Sequence, residues 1–245
     1  MPINTVEQKL EQKIISRFRK ALSEYRLIDN GDHILIGLSG GKDSLCLLEL
    51  LARRMKIQKP TFKVEAVHIR MKNIKYETDT EYLKSFASQY DVPLHIITTE
   101  FDASTDNRKS PCFLCSWNRR KKIFNLAQEL GCNKIAFGHH FDDIIHTTLM
   151  NEIFQGHFST MPVKLKFKKM PLTLIRPLCL EIESDIKQYA INQGYQKQIK
   201  LCPYETDSHR SEIKQLFDQI EKMNPEARYS LWNSLESEGK LIEGL

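Results

Sequence analysis

Three short stretches carry residues able to do chemistry. Residues 39–44 read SGGKDS, residues 138–143 read GHHFDD, and residues 112–115 read CFLC. The first places two glycines, two hydroxyls, a lysine and a carboxylate between an apolar run and a helix-like run. Glycines there let successive backbone N–H groups turn toward one point. A following helix adds the partial positive charge of its N-terminus. That combination binds phosphate. Ser39 and Ser44 supply hydroxyl donors, while Lys42 faces either the phosphate or solvent. Asp43 is out of place in an anion site. It either accepts backbone N–H bonds as a helix cap or helps hold a magnesium ion that travels with a nucleotide. The spacing matches neither the GxxxxGK[ST] P-loop nor the GxGxxG dinucleotide fingerprint.

GHHFDD follows a second short apolar run. Its histidines suit a helix entry, its aspartates suit a helix N-terminus, and the set also suits a metal or a second wall for the same ligand. Cys112 and Cys115 have four readings: redox dithiol, zinc ligands, persulfide carrier, or iron–sulfur ligands. A thioredoxin-like dithiol wants a strand before it, where a polar loop stands. Zinc wants four ligands, and no second CxxC exists. A cluster needs a further thiolate, for which Cys202 is the candidate. Cys46, Cys132 and Cys179 read as packing residues.

The elements that must position these residues follow from periodicity. Apolar positions at three- and four-residue intervals predict a helix over 5–26. Short apolar runs predict strands over 33–39, 63–68, 93–99, 134–138 and 172–176. Helical patterns lie between and after them, over 43–55, 77–90, 113–130, 142–154, 182–192, 208–223 and 226–238. Residues 102–110 read as a polar loop, and Gly131 as a helix stop. Strands alternating with helices predict an α/β fold with a doubly wound parallel sheet. Such sheets bind ligands at the carboxyl ends of their strands, which puts SGGKDS and GHHFDD at one edge.

Composition fits this class. The chain has 245 residues, 41% hydrophobic and 27% charged, which is enough for one large domain with an appendage. No stretch approaches a membrane span, the polar N-terminus lacks a secretory h-region, and a cytoplasmic location is expected. The net charge is +5, but residues 203–245 are acidic, so the body is the more basic part. A basic body suits a polyanionic partner.

At SGGKDS the chain resembles the PP-loop ATP pyrophosphatase superfamily, whose members cleave ATP between the α and β phosphates and adenylate an oxygen. The ordered set CxxC-S-x-x-R-R, GHHxDD, LMNEIFQGHFSTMPVKL and RPL resembles the tRNA 2-thiocytidine synthetases, from about Ser39 to about Cys202. The resemblance implies a tRNA substrate and ATP-driven replacement of oxygen by sulfur at C2 of a cytosine. It also implies ATP, Mg²⁺ and a [4Fe–4S] cluster on Cys112, Cys115 and Cys202. Many relatives carry a second CxxC-like pair downstream; here only Cys202 is present.

Several site expectations follow. Ser39, Gly40, Gly41, Lys42, Asp43 and Ser44, with His68 and Gly138, would bind ATP. Asp43 and Asp143 would be catalytic. Arg119, Arg120, Lys164 and Lys166 would contact tRNA phosphates, beside further basic residues at 121, 122, 168 and 169, and Trp117 would stack a base. The sulfur donor would be a cysteine desulfurase or sulfide, no membrane is involved, and homodimers are frequent among relatives. The expected organisation is an N-terminal helix over 1–30, a PP-loop domain with a CxxC insertion over 31–202, and a helical extension over 203–245.

Overall fold

The computed structural model describes residues 5–72, 74–76, 80–101, 110–196, 199–201 and 209–244. Helix α1 (Val6–Glu24) leads into β1 (Asp32–Gly37), α2 (Lys42–Met55), β2 (Phe62–Met71) and β3 (Lys75–Tyr76). Then come α3 (Glu81–Gln89), β4 (Leu94–Thr99), α4 (Pro111–Glu129), β5 (Lys134–Ala136) and α5 (Phe141–Gln155). The chain continues through β6 (Lys164–Lys166), β7 (Thr173–Ile175), α6 (Glu183–Asn192), β8 (Lys200–Leu201), α7 (His209–Met223), α8 (Ala227–Ser237) and β9 (Ile242–Gly244).

Seven strands form one sheet in the order β4-β2-β1-β5-β7-β6-β9. From β4 to β7 the pairings are all parallel. From β1 the chain winds one way through β2 and β4, then crosses to β5 and β7. The order therefore reverses between β1 and β5, and that reversal opens a crevice at their carboxyl ends. β6 is antiparallel to β7, and β9 lies parallel to β6. These two strands, and the ribbon of β3 with β8, lie outside the predicted elements. Each has two or three residues, too few for a period-two pattern to register.

Helices cover both faces. On one, Ile14 and Phe18 of α1, Leu45 and Leu48 of α2, and Ile186 of α6 pack on Ile34 and Ile36. On the other, Ile123, Leu126 and Ala127 of α4 pack on Leu35, Val67 and Ile135. Phe217, Trp232 and Leu235 of the tail join the first cluster, so the terminal segments share one core with the central segment. Among the described residues no helix is long and apolar enough to cross a membrane.

Helix ends carry the expected signals. Thr5 and Gln8 form a capping box for α1. Ser110 caps α4 ahead of Pro111, which takes the first helical position. The contrast is α2: its N-cap is Gly41, and no side chain caps it. Its first N–H groups are left for a ligand. α2 itself is held firmly, because buried Glu49 accepts hydrogen bonds from Tyr189 Oη at 2.7 Å and Tyr195 Oη at 2.5 Å.

Candidate active site

Residues 38–41 leave β1 and turn straight into α2. Gly40 has φ +87°, a conformation that favours glycine. Ser44 Oγ stitches the turn: it donates to Gly41 O at 2.9 Å and accepts from Gly40 N at 3.2 Å. Ser39 Oγ accepts from Gly41 N at 3.3 Å. The two hydroxyls are thus tied into the loop itself.

Asp43 lies in the first turn of α2 and is not its cap, which settles one of the two roles left open by the sequence. Lys42 Nζ donates to its Oδ2 at 3.1 Å and reaches Glu183 at 3.4 Å. Asp43 Oδ1 is buried, and its neighbour is the partly exposed Lys42 ammonium at 3.1 Å. A carboxylate at the phosphate loop paired with a lysine side chain can exchange that partner for a hard cation.

GHHFDD closes the other side of the crevice. A β-carbon on Gly138 would sit 2.9 Å from the Asp43 carbonyl carbon and oxygen. Glycine at 138 thus lets the two loops touch. Gly138→Ala is expected to push them apart, at about 1–3 kcal/mol of stability and with a raised KM for ATP. Denaturant unfolding and ATP titration check this; wild-type values in both would show that the contact is unimportant.

His140 and Asp143 form a capping box for α5: His140 N donates to Asp143 Oδ2 at 3.1 Å, and Asp143 N donates to His140 Nδ1 at 3.4 Å. His140 Nε2 stands 3.4 Å from Asp143 Oδ2 and 3.9 Å from Asp43 Oδ1. One buried imidazole therefore links the two aspartates singled out in the sequence. Asp142 is structural: it accepts from Glu183 N at 2.7 Å and pairs with Arg228 of α8 at 2.6 Å. Lys214 of α7 donates to Glu183 at 2.6 Å, and this bond, with help from Lys42, pulls the Glu183 carboxyl down to about 2. Phe141 stacks on Trp232 at 4.6 Å. The C-terminal helices are thus fastened to the site, a role for which the sequence carries no motif.

His68 lies in β2 next to the loop, with Nδ1 donating to Leu38 O at 2.8 Å. The carbonyl can only accept, so Nε2 is the bare acceptor of a neutral ring. It is buried without a partner, and burial lowers its pKa. His139 and Arg176, not assigned from the sequence, stand on the opposite flank and are joined by a hydrogen bond from Arg176 Nε to His139 Nδ1 at 3.2 Å.

Cys112 and Cys115 occupy the first turn of α4, one exposed and the other partly so. A spacing of three puts them on one helix face, and a helix N-terminus favours thiolates. Two ligands of a cluster fit there. Cys202 lies outside the described residues; the strand before it, β8, pairs with β3. Among the described residues no group of three His, Cys, Asp or Glu side chains is placed to hold a metal ion. Cys46 and Cys179 are fully buried and Cys132 nearly so, as packing residues should be.

The basic residues divide. Arg119 and Arg120 lie on α4, and Arg120 donates to Ser116 Oγ at 2.8 Å. Lys121 lies over the half-exposed Trp117 ring, 5.1 Å from its centroid. Lys166 is exposed on β6. Lys164 corrects its sequence reading. Its ammonium donates to Arg26 O at 2.5 Å, and burial and neighbouring Lys134 lower its pKa. Lys134 starts β5, so Lys164 reaches toward the amino edge of the sheet, away from the loops.

Comparisons with known proteins agree with this geometry. A family model described as a PP-loop domain matches residues 8–197. The tRNA-cytidine(32) 2-sulfurtransferase of Coxiella burnetii (strain RSA 493 / Nine Mile phase I) is 33% identical over 236 residues, covering 94% of this chain and 91% of that protein. The tRNA-cytidine(32) 2-sulfurtransferase 1 of Francisella tularensis subsp. novicida is 32% identical over 245 residues, covering 97% and 91%. Among solved structures, the U34-tRNA thiolase NcsA from Methanococcus maripaludis with its [4Fe-4S] cluster matches with a TM-score of 0.80 at 27% identity, covering 98% of this chain and 82% of that one. The chain belongs to the PP-loop family, in the branch of the tRNA 2-thiocytidine synthetases.

Proposed function

We propose that this chain is an ATP-dependent tRNA sulfurtransferase that exchanges the C2 oxygen of a cytidine for sulfur through an adenylated base. The observation that carries the reading is the uncapped start of α2, with the Asp43 carboxylate beside it and Asp143 brought in through His140.

The ATP phosphates rest on the N–H groups of residues 42–44, at the positive end of α2. Asp43 and Asp143 would hold Mg²⁺, which would neutralise phosphate charge there. His68 Nε2 accepts a hydrogen bond from the nucleoside, and its neutral ring keeps that role across the working pH range. The C2 oxygen of the base attacks the α-phosphorus; the new O–P bond forms as the bond to the bridging oxygen breaks, and pyrophosphate leaves. Charge developing on the phosphoryl oxygens is met by the N–H groups at the start of α2. Sulfur then adds at C2, and AMP departs with the original oxygen. Cys112, Cys115 and Cys202 would hold the [4Fe–4S] cluster, which when bound would supply sulfide as the nucleophile. Arg119, Arg120 and Lys166 meet tRNA phosphates.

Mass spectrometry of tRNA nucleosides from cells with and without this gene tests the reading. Loss of 2-thiocytidine alone is expected. Loss of a 2-thiouridine instead would keep the chemistry and move the base, in line with the named uridine activity of the structural neighbour. No change in any thionucleoside would refute it.

A further inference from the structure

Arg176 is a charge that the chemistry above does not use. It follows β7 at the carboxyl edge and is 6% exposed. Its Nε donates to His139 Nδ1 and its Nη1 donates to Pro162 O. Both partners are uncharged acceptors. Among the described residues no carboxylate forms an ion pair with it; Asp143 is its strongest acidic influence and still stands off. Burial pushes this guanidinium down to about 10. A buried cation without an anion is costly to keep, and one at the carboxyl edge of the sheet, bonded to a residue of the GHHFDD loop, calls for an anionic ligand.

His139 completes the arrangement. An arginine N–H only donates, so Nδ1 accepts and the ring proton sits on Nε2. Burial, and then Arg176, hold the His139 pKa down to about 4. The ring is therefore a neutral donor, locked in one tautomer. Asp143 acts on both groups, and the basic side chains that act on them are Arg120 of α4 on Arg176 and Arg210 of α7 on His139.

We propose that Arg176 and His139 form a subsite for a phosphate oxygen of the acceptor RNA, adjacent to the base being modified. Sheet order points to the RNA as the source. The nucleotide phosphates have the N–H groups after β1, and His68 marks the nucleoside flank on β2. Arg176 is on the far side of β5, where Arg120 of α4 also acts on it. The subsite rests on the tRNA reading above and adds two residues to it.

The test is the affinity of the holo protein for unmodified tRNA, measured across a range of salt. A side chain that neutralises one single-stranded phosphate contributes about 0.7 to the slope of log K against log salt. Arg176→Gln is expected to weaken binding about tenfold or more and to flatten the slope by that amount. Arg176→Lys is expected to keep the slope with weaker binding, since a point charge replaces a fork. His139→Ala, which removes a neutral donor, is expected to weaken binding at unchanged slope, and it carries the test should Arg176→Gln fail to fold. A wild-type slope in Arg176→Gln, or wild-type affinity in His139→Ala, would overturn the subsite. So would intact RNA binding with only a raised KM for ATP, which would assign the anion to the nucleotide. Absence of RNA binding by the wild-type protein would overturn the functional reading, and this subsite with it.

Discussion

Asp43→Ala is expected to cut ATP-dependent pyrophosphate release by at least about 10²-fold, the scale seen when one preorganised electrostatic element is removed from a transition state. The fold should survive. The Asp43 side chain is 28% exposed and its ion pair is with its sequence neighbour Lys42, so no core packing is lost. The place of the carboxylate, in the first turn of α2 beside the phosphate loop, is the reason for the size of the effect. Losing it removes the negative charge that would hold a cation against the phosphates. Asp43→Asn keeps the shape and loses the charge, and should be nearly as slow. Both variants should keep the iron–sulfur absorbance of the wild type. Pyrophosphate release within about threefold of wild type, on a scale where the expected loss is about 10²-fold, would remove Asp43 from the mechanism.

Cys112→Ala is expected to do the reverse: to abolish thiolation and bleach the cluster while sparing adenylation. Cys112 is exposed on the first turn of α4, so its loss leaves no cavity in the core. Base attack on ATP needs the loop after β1 and the two aspartates, none of which touches α4's first turn through any hydrogen bond described above. AMP and pyrophosphate should therefore still form with tRNA present, without a thionucleoside. Cluster absorbance and thiolation both at wild-type levels would rule out Cys112 as a ligand.

Much of this was legible because parallel strands buried on both faces are written as continuous apolar runs. HILIG, the core of FKVEAVHIRM, and KIA all reached their expected places. So did the two loops, since strand alternation alone puts both at the carboxyl edge. What was missed depended on contacts across long separations. Lys164 belongs to a run of positive charge in the sequence, yet its antiparallel strand sends the ammonium to a carbonyl 138 positions earlier. Arg176 is visible as the start of RPL, but its meaning needs His139, 37 positions away. Asp142 reads as one more acidic residue at a helix start, whereas Arg228 and the Glu183 amide make it the fastening of the tail. The short strands β6 and β9 exist because β7 offers an edge to cover, which no local pattern records.

The central claim is that one crevice couples ATP cleavage to sulfur insertion at a tRNA cytidine. The most direct measurement incubates the reconstituted holo protein with ATP, Mg²⁺, sulfide and unmodified tRNA, then counts AMP, pyrophosphate and thionucleoside together. Equal yields of AMP, pyrophosphate and 2-thiocytidine, all dependent on tRNA, are expected. AMP and pyrophosphate formed at the same rate without tRNA, or ATP left intact while tRNA is bound, would contradict it.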